Sequence, residues 1–329
     1  MFKVDDGYEA LICARMPNGQ ACIARMQSKN LIYWNALPPI ATPKVFQCEV
    51  PEYFTMGDKH YLIFSCGARP IDDKSRKNTR GTRYLISDSR TGDYVMPEDS
   101  LLLGSGNGRL DCYVGRTIEM NGKRMLYYQN CGPRPSAGAP KIIQQNENGT
   151  LWAKYWDGLA GLETGAVPSK INRKVLKDVE WKLEANRLVG CKDHGVSIFI
   201  LPPVVSDFNL TCTINIEKGN RGALVFRYDE KIQKGLIFIL DAKSGNVEIA
   251  GIEEGQVATR DAVMLGLQTS QEHIVRIFVR SEFADCYVDD KFIFSTVVDD
   301  YPLSGKIGFV VDSAVASFSN LRIALLESL

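Results

Sequence analysis

Short apolar runs separated by tight-turn signals recur along nearly the whole chain, and this pattern constrains the fold more than any other feature. Tyr61-Leu62-Ile63-Phe64 and Met125-Leu126-Tyr127-Tyr128 are two such runs. Met56-Gly57-Asp58-Lys59, Asn121-Gly122-Lys123 and Asn146-Glu147-Asn148-Gly149 stand between them. Asn-Gly and Gly-Asp pairs adopt positive φ at little steric cost, which tight hairpins require. Runs this short, bounded by such turns, predict strands. Only Lys170 to Leu183 has a pattern compatible with a short helix.

The runs group into two regions. In the first, Tyr8 to Ile12 and Ala21 to Met26 flank a Pro-Asn-Gly turn, Tyr53 to Ser65 repeats the strand-turn-strand unit, and Arg116 to Tyr128 repeats it again. Repeating hairpins of this size suit propeller blades of four antiparallel strands, at about 40–50 residues per blade. That predicts about three blades of a five-bladed propeller, too few to close a ring. Beyond the junction around Gly158 to Pro168, alternation such as Leu210-Thr211-Cys212-Thr213-Ile214-Asn215-Ile216 puts one strand face inward and one outward. Many strands with short turns and no helices predict a jelly-roll-like sandwich. The expected domains are therefore 1–165, a partial β-propeller, and 171–329, a β-sandwich.

Composition sets limits on partners. The chain has 329 residues, enough for two cores, and balances 39 Lys+Arg against 39 Asp+Glu. A balanced charge gives no footprint for nucleic acid or an anionic membrane, and neither is expected as a partner. No apolar run is long enough to span a bilayer as a helix. The first residues, MFKVDDGYEALICARM, lack a basic segment followed by an apolar one, so no signal peptide is expected and the expected location is cytoplasmic. Nine cysteines, with no Cys-x-x-Cys pair, read as buried thiols rather than a disulfide framework. With only three histidines, no zinc or other metal site and no cofactor is expected. The sequons at Asn148 and Asn209 read as turn residues.

Three segments of the first region carry a specific resemblance. Ile23 to Trp34 ends in Ser28-Lys29-Asn30-Leu31-Ile32-Tyr33-Trp34. Cys48-Glu49-Val50-Pro51-Glu52-Tyr53-Phe54 precedes Lys59 to Ser65. Leu110-Asp111-Cys112-Tyr113-Val114-Gly115-Arg116 comes third. In order and spacing these resemble segments of glycoside hydrolase family 32, the invertase and levanase type of β-fructosidase. The second segment is similar to the family's Glu-Cys-Pro motif, with Val50 for Cys, and the third to its Asp-x-Tyr-Ala segment, with Val114 for Ala. In the second region, Val279 to Asp290, Gly305 to Phe309 and Ala316 to Leu321 resemble the sandwich strands of the same family.

The resemblance implies a propeller followed by a sandwich, a carbohydrate partner containing fructose, and retaining hydrolysis of terminal β-fructofuranosyl bonds in sucrose or fructans. Retaining enzymes need one carboxyl group to protonate the leaving oxygen and a second as nucleophile. It implies Glu49 as the acid/base, with Asp111 and Tyr113 facing the sugar. The family's nucleophile lies in an Asp-Pro-Asn motif and its transition-state-stabilising Asp in an Arg-Asp-Pro motif, and neither occurs here. Met16-Pro17-Asn18-Gly19 echoes the first motif without its acid. The expectation is an N-terminally truncated propeller, inactive alone, partnered by a separate N-terminal propeller fragment. The rival reading is a noncatalytic carbohydrate-binding protein derived from the family.

Other sequence features carry less. Gly104 to Gly108 has no helix pattern after it, so a flexible loop is favoured over a phosphate cradle. Lys74 to Arg80 reads as a solvated loop, and Asp72, Asp73, Asp299 and Asp300 as turn residues. Trp152 and Trp156 read as core packing at the domain junction, and His194 and His273 as structural.

Overall fold

The computed structural model describes residues 1–66, 81–104, 112–131, 134–168, 180–298 and 300–327. The architecture is all-β, as the alternation predicts, with a single 3-10 turn at Asp157–Leu162 among the described residues. Contacts divide the chain into two units, Met1–Trp156 and Asp157–Leu329.

The first unit is a succession of antiparallel meanders. Strands β1 (Phe2–Val4), β2 (Gly7–Arg15), β3 (Ala21–Ser28) and β4 (Asn35–Ala41) make the first sheet. Strands β5 (Glu49–Met56), β6 (Lys59–Cys66), β7 (Gly81–Ser87) and β8 (Leu101–Gly104) make the second. In the third, β9 (Cys112–Met120), β10 (Lys123–Asn130), β12 (Lys141–Gln145) and β13 (Leu151–Tyr155) pair in that order, and the short β11 (Ser136–Ala137) adds to β10. The middle sheet is covered on both sides, so β6 is almost entirely buried, as a near-continuous apolar run should be. Leu62, Phe64 and Cys66 pack with Ile23 and Ala41 of the first sheet. On its other side Tyr61 donates to Gly149 O at 2.6 Å, and Gln145 of β12 donates to Met56 O at 2.8 Å.

The second unit contains β14 (Glu163–Val167), β15 (Trp181–Glu184), β16 (Arg187–Val205), β17 (Phe208–Asp229), β18 (Lys234–Asp241), β19 (Asn246–Glu253), β20 (Gln256–Met264), β21 (Glu272–Arg280), β22 (Phe283–Val288), β23 (Lys291–Val297) and β24 (Gly305–Leu326). Two packed layers arise because three long strands pass through both. The first half of β17 pairs with β21 and with the end of β24, while its second half pairs with β18 and with the start of β24. The change falls at Gly219, whose φ of +93° bends the strand. A Cβ there would stand 2.2 Å from Ser313 O, so only glycine fits the corner. Strand β16 follows β24 through the same corner, with a register break between Lys192 and Val196. Phe208, Phe226, Phe238, Phe294, Phe309 and Phe318 fill the space between the layers.

Two sequence expectations need correction. The last three residues of the possible helix, Trp181 to Leu183, lie in strand β15, paired with β16; its part at 170–179 lies outside the described residues. Trp181 explains the strand: it is buried among Phe199 and Phe318, and its indole N–H donates to Ser197 Oγ at 2.8 Å. Asn209 is not a turn residue but a buried member of β17, donating to Glu163 at 3.1 Å. Asn148 does sit in a turn, where its side chain accepts from Thr150 N at 3.0 Å.

Candidate functional site

The geometry of the site comes from one local device used twice. In the second sheet Glu49 pairs with Ser65 and Glu52 with Ile63, leaving Val50 and Pro51 opposite a single residue. In the third sheet Tyr113 pairs with Gln129 and Arg116 with Tyr127, leaving Val114 and Gly115 opposite a single residue. Both are β-bulges, and a bulge re-aims the side chain beside it. Val50 and Val114 take positive φ, +45° and +53°, a conformation unfavourable for a β-branched residue. The preceding residues, Glu49 and Tyr113, therefore occupy equivalent places in neighbouring sheets, each following a fully buried cysteine, Cys48 or Cys112.

The two bulges meet. The Tyr113 hydroxyl donates a hydrogen bond to Glu49 Oε2. Gln47 Nε2 donates to the same hydroxyl oxygen at 3.0 Å, which leaves the phenolic hydrogen for the carboxylate. Burial raises the Tyr113 pKa well above the ordinary tyrosine value, and the hydrogen bond to Glu49 adds to the shift. The phenol thus remains a donor across the physiological range. Val114 N donates to Ser65 Oγ at 2.8 Å, Arg116 Nη1 to Val50 O at 2.6 Å, and Thr117 Oγ1 to Glu52 Oε1 at 2.6 Å. These bonds fix the third sheet against the second and hold the Glu49–Tyr113 pair in place.

Of the sequence-derived candidates, Glu49 and Tyr113 are in contact, while Asp111 lies outside the described residues. So do Lys74 to Arg80, Asp72, Asp73, Asp299 and most of Gly104 to Gly108; Gly104 itself ends β8. Sequence reasoning missed Gln47 and the bulges. The signal was present as the repeated Cys48-Glu49-Val50 and Cys112-Tyr113-Val114. His273 has a partner that the sequence did not suggest, Asp289 at 2.8 Å. No group of three or more His, Cys, Asp or Glu among the described residues is arranged to hold a metal. No helix among them is long and apolar enough to cross a membrane.

No protein-family model matches the sequence, and no curated protein matches it. Solved structures do. A sucrose-6-phosphate hydrolase from Lactobacillus gasseri superposes with a TM-score of 0.70 at 13% identity, over 99% of this chain and 65% of that one. A glycoside hydrolase family 32 β-fructofuranosidase from Bombyx mori gives 0.64 at 16% identity, over 99% and 65%. An exo-inulinase from Aspergillus awamori gives 0.61 at 11% identity, over 93% and 62%. The chain thus spans somewhat less than two thirds of each of these proteins. The fold is that of glycoside hydrolase family 32, across both units.

Proposed function

We propose that this chain carries the acid/base half of a β-fructosidase site, with Glu49 as the proton donor to the leaving oxygen. The observation that carries the reading is the Tyr113–Glu49 hydrogen bond, made by the two segments that resemble the family's motifs on a fold of that family. Tyr113 holds one carboxyl oxygen and leaves the other to serve a glycosidic oxygen. Asp111, one residue before Cys112, is assigned by the resemblance to the sugar side of the same site. The substrate class is a terminal β-fructofuranosyl unit of sucrose or a fructan. The chain alone does not turn over, because a retaining reaction needs a second carboxylate as nucleophile and neither aspartate motif is in this sequence. A separate propeller fragment would supply it.

Chemical rescue tests this. With an activated aryl β-fructofuranoside, azide takes the place of the missing nucleophile: it attacks the anomeric carbon as the aryloxide leaves. The expected result is no hydrolysis of sucrose, levan or inulin by the chain alone. Azide-dependent release from the aryl fructoside follows, and the product is a fructosyl azide. For a leaving group that needs protonation, the release weakens in Glu49→Gln. Sucrose turnover without azide that disappears in Glu49→Gln would instead assign the nucleophile to another carboxylate of this chain.

A further inference from the structure

The third sheet carries an open depression that the Glu49 reading does not use. Its volume is about 480 Å³, within the range of small-molecule sites, and Val114, Arg116, Tyr127, Gln129, Pro135 and Ala137 line it. Its walls are accessible: Tyr127 is 38% exposed, the Arg116 side chain is 44% exposed, and Gln129, Pro135 and Ala137 are exposed as well. The depression lies at the end of the sheet that holds Tyr113. Gln129 is the register partner of Tyr113 on β9 and of Ala137 on β11. Partners across antiparallel strands point to the same face, so the Gln129 amide and the Tyr113 phenol share one side of the sheet. Val114, the wall residue directly after Tyr113, belongs to the bulge beside the Glu49–Tyr113 pair.

The groups on these walls select a class of ligand. Among the described residues, neither the Tyr127 hydroxyl nor the Gln129 amide has a hydrogen-bond partner. Arg116 is partly committed: Nη1 donates to Val50 O at 2.6 Å and lies 3.8 Å from Glu52 Oε2. Glu52 balances the guanidinium charge and no second cation lines the depression, which disfavours a phosphate or other anion. No carboxylate stands on the walls, which disfavours a cation. A neutral saccharide matches what is left. Its C–H face lies against the Tyr127 ring, its hydroxyls accept from and donate to the Gln129 amide, and they accept from the remaining Arg116 donors.

We propose that this depression seats the leaving-group sugar of the substrate, with Tyr127 and Gln129 setting a preference for oligosaccharides over a single fructosyl unit. Its place in the reaction rests on the Glu49 reading; the binding itself does not. Titrations of the full chain with methyl β-fructofuranoside and with short inulin and levan oligomers, followed by calorimetry or NMR, test it. An oligomer binds more tightly than the methyl glycoside, and Tyr127→Ala weakens the oligomer by about tenfold while leaving the methyl glycoside unchanged. Gln129→Ala acts in the same direction. Ala137→Trp, which fills the depression, abolishes the preference and keeps the proposal testable if Tyr127→Ala does not fold. Oligomer affinity unaffected by Tyr127→Ala and Ala137→Trp overturns the proposal. So does an absence of saccharide binding at millimolar concentration, or a depression that takes inorganic phosphate or spermidine in their place. The two readings fail separately. Oligomer binding that depends on Tyr127, without azide-dependent release from the aryl fructoside, overturns the Glu49 reading alone. Azide-dependent release with oligomer binding indifferent to Tyr127 overturns this one alone.

Discussion

Val50 and Val114 hold the same position in two successive sheets, each at positive φ in a two-against-one bulge, and each directly after a residue of the Glu49–Tyr113 pair. Glycine is the residue that normally accepts this conformation. Two valines in that place mean that the surrounding sheet imposes the backbone, and the strain is stored beside the candidate site.

Replacing Val114 by glycine should therefore be close to neutral. Release of the left-handed strain gains about 1–2 kcal/mol, offset by about 0.5–1 kcal/mol of extra chain entropy in the unfolded state and by the lost partly buried side chain. The net change expected in urea denaturation is under about 1 kcal/mol. Ile63→Gly, fully buried in an ordinary stretch of β6, should cost about 3–5 kcal/mol under the same conditions. Equal losses at the two positions would show that Val114 is not strained.

The thiols sort by burial. Cys13 and Cys191 are exposed, Cys131 is partly so, and Cys22, Cys48, Cys66, Cys112, Cys212 and Cys286 are buried. Burial raises the pKa of Cys48, and that of Cys212 to about 12, so their reactive thiolates are scarce as well as inaccessible. Labelling of the native protein near neutral pH should modify Cys13 and Cys191 quickly and Cys131 more slowly. The six buried thiols should react only after denaturation, and mass spectrometry of the labelled peptides reads the order.

Alkali should destabilise the first unit. Burial raises the pKa values of Tyr61, Tyr84, Tyr94 and Tyr113. A folded-state pKa above the unfolded one means the native state retains its proton where the unfolded state has lost it. Stability is thus complete below the ordinary tyrosine value of about 10 and falls as pH rises above it. Urea midpoints of the first unit should be flat from neutral pH to about 9 and decline between about 10 and 12. Phenolate absorbance should lag behind that of free tyrosine until the chain unfolds. A midpoint that rises through this range would contradict the burial of these rings.

The all-β architecture was legible because alternation and turn chemistry are local. Leu210 to Ile216 alternates in the sequence and lies in β17, and Asn121-Gly122 turns between β9 and β10 as its composition requires. Glu49 and Tyr113 were legible only through resemblance to a family, since nothing local says that two strands 64 residues apart will meet. The bulges were not legible: valine is the residue least expected at positive φ, so Val50 and Val114 carry no turn signature. Trp181 and Asn209 were misread for a related reason, because burial against distant strands overrode a local helical or turn preference. Arg221, Asp241, Glu248 and Asp312 come together from β17, β18, β19 and β24, and no spacing in the sequence brings those charges together.

The second unit should fold without the first. Its core is continuous between two layers, and β14 belongs to it, since Glu163 to Val167 pair along the end of β24 and Glu163 binds Arg322 and Asn209. A self-sufficient fragment therefore begins at Asp157 rather than after β14, and limited proteolysis of the full chain should leave a resistant C-terminal piece that retains Glu163. The corner at Gly219 provides an internal check on the same unit. Alanine there meets both an unfavourable φ and the Ser313 carbonyl oxygen, and should cost about 2–4 kcal/mol. Gly195 has a similar φ of +79° with nothing within 4 Å of a new Cβ, so Gly195→Ala should cost only about 1 kcal/mol. Thermal melts of the isolated fragment carrying each substitution measure the difference. Equal losses would mean that the close approach of β17 and β24 is not what holds the layers in register, and a fragment from Asp157 that fails to melt cooperatively would show that the second unit depends on the first.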